Sequence, residues 1–557
     1  MRRGDKRLAV LMGGAVLFLA ALFFRLSYVQ VIASPPLQQR AADQHVRLVE
    51  LAAPRGTIYD RNGDPLAVSQ STASVYANPQ QIKPDDLERT AKSLAPVIGL
   101  SAETVLAKLR TDLGFRYLVR RVDLEVGEKV KQLNLPGIGV LTEPKRVYPK
   151  GALAPQLLGW VGGDRYQGEA GIELQYDKQL AGSPGEMRIV TDRQGKRRLQ
   201  TEVTEEVHPG ADLTLTIDAQ LQFEVERALT EVVDKYQAKR AAAIVMDPKS
   251  GELLALAVTP VIDANKWGTL GGQDERRKNW AVTDQYEPGS TFKVVVVAAA
   301  LEEGLVTPDT VFTLPNKLMV YGKPLGEAED DVPEVRRLTV TQILAQSSNI
   351  GAALLGKEVG KQRLVAMIHR FGFMQKLGLD FPGEAKGQML PPEKWNGLTI
   401  YNVPMGQAVS VTPLQLAGAY AAIANDGLLV QPHLDKDKTG VWTRRVMSAE
   451  VAAQLREMLR TTVEAGTGRQ ARVQGYVVAG KTGTAQKPEK GGYSHDKVYA
   501  SFVGMVPVED PRLVILVVVD EPTTERSGAK VAAPVFAKIA DFALRRLGIA
   551  PTLAPTP

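Results

Sequence analysis

From Leu8 to Phe24 the chain runs seventeen residues without a charge, behind a head, Met1 to Arg7, that carries four basic residues and one acid. A run of that length predicts one helix able to cross a bilayer, and Arg25 can snorkel to the interface while Leu26, Val29, Val31 and Ile32 extend the apolar character. The basic flank stays inside, so the expected spans are a cytoplasmic tail over 1–7 and a single membrane anchor over 8–32, with the remainder on the extracytoplasmic side. The run exceeds the ~7–15 residues of a signal-peptide core and no small-x-small cleavage site follows it, which argues against its removal.

Between 33 and 210 the apolar positions come in short stretches broken by Pro and Gly, the pattern of a β-rich module with small helices. Arg55, Asp60 and Arg61 beside the turn at Asn62-Gly63 read as staples of a hairpin rather than as chemistry. From Ala211 the pattern changes. Asp218 caps a predicted helix whose Leu221, Val225, Ala228, Leu229 and Val232 share one face, and Ala241–Met246 and Leu253–Val258 follow as a hairpin around Lys249-Ser250-Gly251. Phe292 to Glu303 reads as an apolar helix ending at Gly304, with Ser290 at its N-terminus. Strands are expected at Tyr476–Lys481, Tyr499–Val506 and Leu513–Asp520, then an amphipathic helix over Pro534–Arg546. The expected class is α+β, an antiparallel sheet flanked by helices over 211–548, on a non-catalytic pedestal over 33–210 and followed by a Pro-rich tail over 549–557.

Composition narrows the partners. The net charge of +6, from 68 basic and 62 acidic residues, is small for 557 residues, and without a basic stripe it argues against nucleic-acid binding. There is no cysteine, which excludes disulfides, thiolate metal sites and a lipidated N-terminal cysteine.

Three motifs follow in one order: Ser290-Thr291-Phe292-Lys293, Ser347-Ser348-Asn349 and Lys481-Thr482-Gly483-Thr484. Each alone is weak, since Ser494/Lys497 and Ser527/Lys530 repeat the first spacing, and Lys249-Ser250-Gly251 and Lys438-Thr439-Gly440 repeat the third. Only the first set is followed by a Ser-x-Asn and then a Lys-Thr-Gly that a strand leads into. Together they describe a serine acyl-transfer site. A serine hydroxyl needs a base, and none of His45, His208, His369, His433 and His495 stands in a motif that makes it one. Lys293, one helical turn from Ser290, is the available base if burial or a second cation lowers its pKa, and Lys481 is the expected second cation.

The motif set resembles that of penicillin-binding proteins and class A β-lactamases. The likeness extends to Pro54–Gly63 with Pro65-Leu66-Ala67, Gly171-Ile172-Glu173, Val409–Ala417 and Ala533–Phe536, all similar to class B penicillin-binding proteins. What the resemblance implies is a peptidoglycan D,D-transpeptidase with a penicillin-binding, serine β-lactamase-like catalytic domain. It implies a Ser290 nucleophile and a Lys293 base, with Ser347 relaying the proton to the leaving amine and Asn349 orienting lysine and substrate. Lys481, Thr482 and Thr484 would hold the substrate's terminal carboxylate, with Gly483 in the same substrate-binding motif, and the N–H groups of Ser290 and Thr484 would form the oxyanion hole. No cofactor or metal is implied. The partners are D-Ala-D-Ala stem peptides, an amine acceptor, β-lactams, and a membrane glycosyltransferase with other division proteins, since no fused glycosyltransferase signature appears.

Val75–Pro79 and the asparagine at 349 look like the division (septal) subgroup, against an elongation-type alternative. Two further readings compete. A β-lactamase would need a deacylating base, for which Glu384 after Pro382-Gly383 is the candidate, although it also reads as part of a turn. A non-catalytic β-lactam sensor would need cytoplasmic sequence beyond residues 1–7.

Overall fold

The computed structural model describes residues 3–32, 46–111, 113–163, 166–191, 198–327 and 332–553. Met1 and Arg2 of the basic head, residues 33–45 after the anchor and Ala554–Pro557 of the tail lie outside the described residues. The chain divides into two units: Met1–Arg55, Ser69–Lys145 and Ala181–Gly210 form the first, and Gly56–Val68, Arg146–Leu180 and Ala211–Pro557 the second. Sequence pattern places one boundary at 210/211; in the structure two earlier segments, Gly56–Val68 and Arg146–Leu180, cluster with the later part of the chain.

In the first unit the apolar N-terminus is a helix over Arg3–Ser27 that continues as a π-turn over Tyr28–Ile32, and it is long and apolar enough to cross a membrane, with its side chains from Arg7 to Gln30 largely exposed. A three-stranded antiparallel sheet is built from Val46–Leu51, Gly185–Thr191 and Arg198–Glu205, the second strand in the middle. A separate small core gathers Val75, Leu94, Val105, Leu109, Leu118 and Val130 from one strand pair and three short helices.

The second unit holds the three motifs. Helix α1 (Ala219–Tyr236) starts at Asp218, whose carboxylate accepts from the N–H groups of Gln220 and Leu221 at 3.0 Å each, the cap the sequence predicts. Strands β1 (Arg240–Met246) and β2 (Leu253–Val258) form the expected hairpin. Helix α2 (Lys293–Glu302) is buried on every side from Lys293 to Leu301. Four consecutive valines, Val294–Val297, would locally favour strand, and burial of all faces overrides the few tenths of a kcal/mol each costs in a helix. Then come β3 (Val311–Pro315), β4 (Lys317–Val320), β5 (Lys323–Gly326) and β6 (Val335–Thr339), helices α3 (Val340–Ala345), α4 (Asn349–Val359), α5 (Pro413–Ala424) and α6 (Ala449–Glu464), strands β7 (Ala479–Glu489), β8 (Gly492–Val506) and β9 (Leu513–Asp520), and helix α7 (Ala533–Arg546).

The main sheet runs β2-β1-β9-β8-β7, antiparallel throughout. Strands β1, β2 and β9 are buried on both faces, so alternate residues feed two cores. Ala241, Ala243 and Val245 of β1 join Val517 and Val519 under α1 and α7, whereas Ala242, Ile244 and Met246 join Leu516 and Val518 in the core that contains α2 and α5. Phe502 packs edge-on against Phe536 at 4.8 Å between ring centres, and truncation of such a buried ring costs about 3–5 kcal/mol.

Two strands have bounds that differ from those expected from sequence. The strand read as Tyr476–Lys481 begins at Ala479 and continues to Glu489, and its partner begins at Gly492 rather than Tyr499. Cross-strand pairing from Ala479–Met505 to Glu489–Gly492 extends both strands into a polar hairpin that an apolar pattern cannot reveal.

Candidate active site

Ser290 lies in a short 3-10 turn, Gly289–Phe292, immediately before α2, so Lys293 is the first residue of the helix. Three contacts hold that turn. Tyr286 and Val411 exchange backbone hydrogen bonds at 2.9 Å each, Gly289 N–H donates to Gly406 O at 3.1 Å, and the buried Tyr420 hydroxyl of α5 donates to Thr291 O at 2.9 Å. Gly289 has φ +57°, a left-handed conformation that glycine adopts without a Cβ penalty.

The Ser347–Asn349 segment turns the corner between α3 and α4. Ser347 has φ +62°, which for a non-glycine residue stores on the order of 1 kcal/mol. That conformation aims its carbonyl at Lys293. The amine donates to Ser347 O at 2.5 Å, to Asn349 Oδ1 at 2.8 Å and to Ser347 Oγ at 3.3 Å. Among the described residues none of its hydrogen bonds goes to Ser290 Oγ, although the two side chains lie one helical turn apart.

Lys481 and Thr482 are buried in β7, the edge strand of the sheet, and Thr484 is exposed on it. Lys481 donates to Thr482 O at 3.2 Å, Thr482 Oγ1 lies 2.8 Å from Thr467 Oγ1, and Thr484 Oγ1 accepts from Gly528 N–H at 3.0 Å. Gly483 is required by closeness: a Cβ there would stand 2.5 Å from Ser501 Oγ and 2.9 Å from Thr291 Cγ2. The strand therefore lies directly against the Ser290 turn. All eight residues singled out by sequence (Ser290, Lys293, Ser347, Asn349, Lys481, Thr482, Gly483 and Thr484) come from this one assembly of turn, helix corner and strand edge.

Burial of the Lys293 amine pulls its pKa down to about 7, against the opposing pull of the Glu327 charge. Burial also lowers Lys481 well below the ordinary lysine value, and the Lys293 charge adds to that effect. The sequence leaves two causes open for a depressed Lys293, burial or a second cation supplied by Lys481. In the structure burial is the main cause for both amines, since neither has a solvent shell to hold a charge.

Two carboxylates near the motifs escape sequence reading. Glu327 accepts from Ser348 Oγ and Asn349 N–H at 2.6 Å each and from Arg336 at 2.5 Å. It opens an acidic stretch, Glu327–Asp331, that reads as a solvated loop. Glu287 accepts from Ala408 N–H at 3.0 Å and from the Tyr493 hydroxyl at 3.3 Å, and burial raises its pKa.

The remaining candidates have structural uses. Glu384 accepts from the N–H groups of Leu377, Gly378 and Leu379 at 2.5, 3.0 and 3.2 Å, so it staples a turn. Asp60 accepts from Asn62 N–H and Asp64 N–H at 2.8 Å and from Ala219 N–H at 3.1 Å, and Arg61 pairs with Glu252 at 3.2 Å. Ser494 accepts from Asp496 and Lys497 N–H within the β7–β8 hairpin. Among the described residues no cluster of three or more His, Asp or Glu side chains could hold a metal.

Residues 241–541 match the family model of the penicillin binding protein transpeptidase domain, and residues 50–215 that of the penicillin-binding protein dimerisation domain. The Stage V sporulation protein D of Bacillus subtilis is 35% identical over 570 residues, covering 98% of this chain and 86% of the relative. The peptidoglycan D,D-transpeptidase FtsI of Escherichia coli is 32% identical over 558 residues, covering 99% and 93%. Among solved structures, penicillin binding protein 3 of Mycobacterium tuberculosis in complex with aztreonam superposes with a TM-score of 0.71 at 29% identity, covering 91% of this chain and 100% of the other. With a transpeptidase-domain match over more than half of its residues and relatives above 30% identity along nearly all of its length, the chain belongs to the class B penicillin-binding proteins.

Proposed function

We propose that the protein cross-links peptidoglycan stem peptides through an acyl-enzyme on Ser290. One observation carries the reading: a lysine amine buried one turn from Ser290, held by Ser347 and Asn349, with a pKa near 7. Such an amine is neutral for much of the time at neutral pH and can take a hydroxyl proton.

Ser290 Oγ attacks the carbonyl of the penultimate D-alanine while Lys293 takes its proton. The C–N bond breaks, and Ser347 relays the proton held by Lys293 to the departing D-alanine amine. An amine of a neighbouring stem peptide then attacks the acyl carbon and gives up a proton to Lys293, and the C–O bond to Ser290 breaks as its oxygen takes that proton back. Asn349 orients Lys293 and the substrate amide. Lys481, Thr482 and Thr484 receive the terminal carboxylate, with Gly483 leaving room on the strand, and the N–H groups of Ser290 and Thr484 stabilise the oxyanion. The carboxylate supplies the negative charge that a buried Lys481 otherwise lacks. β-Lactams, such as the aztreonam bound to the Mycobacterium tuberculosis structure, would acylate the same serine. The test is a labelled penicillin: a stable adduct mapping to Ser290 and abolished by Ser290→Ala is expected, and an adduct on Ser347, Ser494 or Ser527 sinks the assignment.

The exposed apolar helix supports a single-pass anchor in the cytoplasmic membrane, with residues 33–210 as pedestal and the transpeptidase outside. Protease added outside the inner membrane should digest the folded part. A shortened soluble protein lacking Leu8–Phe24 would overturn the anchor.

We assign the protein to septal synthesis, alongside a membrane glycosyltransferase and other division proteins, on Val75–Pro79 and Asn349. Depletion should then give filaments with lateral growth intact. Round, swelling cells would point to elongation.

A further inference from the structure

The Ser347–Asn349 turn presents two oxygens of Ser347 and one of Asn349 to Lys293, yet Ser347 sits in a left-handed conformation that its own side chain disfavours. Something must hold it there. On the α3 side the hold is backbone: Ser347 N–H donates to Leu344 O at 3.2 Å and Ser348 N–H to Ile343 O at 2.9 Å. On the α4 side it is Glu327, arriving at the end of the β4–β5 hairpin, with one oxygen taking the Ser348 hydroxyl and the other the Asn349 N–H. The same Ser348 Oγ accepts from Gly351 N–H at 3.0 Å, so the carboxylate sits over the N-terminus of α4, where backbone dipoles favour negative charge. Arg336 of β6 pairs with it, and the Glu327 side chain is only 5% exposed.

We propose that Glu327 is a positioning residue of the acyl-transfer site: its carboxylate clamps the turn that presents Ser347 and Asn349 to Lys293, and it brings a negative charge to bear on that amine. The inference rests on the roles proposed above for Ser290 and Lys293. Among the described residues the charged groups facing Lys293 are Lys481 of β7 and Glu327, with Arg336 facing Glu327 in turn. Glu327 favours the ammonium form of Lys293, whereas burial disfavours it. Removing the Glu327 charge therefore lets the amine lose its proton at lower pH, while removing the clamp lets Ser347 relax and carry its acceptors away.

The experiment measures the second-order rate of adduct formation with a labelled penicillin as a function of pH, on the full chain in detergent. Glu327→Gln keeps the shape and removes the charge. It should move the rising midpoint down by roughly 0.5–1 pH unit and lower the plateau. Glu327→Asp retains the charge and should hold the wild-type midpoint. Glu327→Ala should lower the plateau by ~10²-fold, as expected of a catalytic group misplaced by about 1 Å. A thermal melt of each variant reports folding, and the isosteric glutamine carries the test where alanine fails to fold. A glutamine variant with the wild-type midpoint and plateau overturns the proposal. Adduct formation that survives Ser290→Ala would instead remove the acyl-transfer reading, and this inference with it.

Discussion

The Lys293 amine lies 2.8 Å from Asn349 Oδ1, and the two residues stand 56 apart in sequence. The base proposed for Ser290 is therefore oriented by the corner between α3 and α4 rather than by its own helix, and it is kept dry by the core around α2. Those two features, orientation and burial, lead to separate measurable consequences.

Acylation should rise with pH. A Lys293 pKa near 7 means the neutral, proton-accepting form dominates above that value, so the rate of penicillin adduct formation should climb through about pH 7 to a plateau. Lys293→Ala should lower the rate by ~10²–10⁴-fold. A flat profile through neutrality would rule out Lys293 as the base.

The same shift makes a stability prediction. Its folded pKa, about 7, lies below the ordinary value of 10.5, so the unfolded chain binds the proton more tightly over that interval. The contribution of Lys293 to stability is full above about pH 10.5 and is lost as pH falls towards 7. Urea unfolding of wild type and Lys293→Met at several pH values should show the methionine variant gaining most near neutrality, where it no longer carries a buried charge. An advantage that grows with pH would contradict the assignment.

Glu384 should matter for folding and not for deacylation. Its oxygens are taken by the amides of Leu377, Gly378 and Leu379. Glu384→Ala should cost roughly 1–3 kcal/mol by leaving buried donors unpaired, measured by denaturant unfolding. The lifetime of the penicilloyl adduct should not change. Rapid turnover in wild type that Glu384→Ala abolishes would revive the β-lactamase reading.

Gly483→Ala should separate β7 from the Ser290 turn. A Cβ 2.5 Å from Ser501 Oγ and 2.9 Å from Thr291 Cγ2 forces a shift, with an overpacking cost of about 1–3 kcal/mol. Adduct formation should fall more than thermal stability does, because Thr482 and Thr484 move with the strand. Wild-type acylation rates in this variant would show that the strand's placement is not critical.

Arg146 and Glu173 form an ion pair at 2.6 Å with both side chains fully buried, and Arg146 also donates to Gly56 O at 2.8 Å. Arg146→Met removes this cation from beside a buried carboxylate and should cost about 3–5 kcal/mol. Combining it with Glu173→Leu should recover part of that loss. Equal stability of the single and double variants in urea would show that the pair carries no special weight.

Sequence alone determined what is written in short-range pattern. The apolar run after the basic head, the Asp218 cap, the β1–β2 hairpin and the three ordered motifs each depend on residues a few positions apart, so helix periodicity, capping chemistry and turn preference suffice to read them. The likeness of Pro54–Gly63 and Val409–Ala417 to class B penicillin-binding proteins is a resemblance to a family, carried by those residues as they stand and not by periodicity or capping. Tertiary structure decided what depends on partners distant in the chain. Ile58 pairs with Leu213, and Arg146 with Glu173 and Gly56, so Gly56–Val68 and Arg146–Leu180 cluster with the catalytic unit although no local pattern marks them. The strand carrying Lys481 begins at Ala479 because its ladder with β8 begins there, not where the apolar run begins. Glu327 reads as one acid among several in a polar stretch, and only folding sets its oxygens on Ser348 and Asn349. The depressed pKa of Lys293 likewise follows from a core that closes around an amine, since burial is a property of the whole packing and not of any window of sequence.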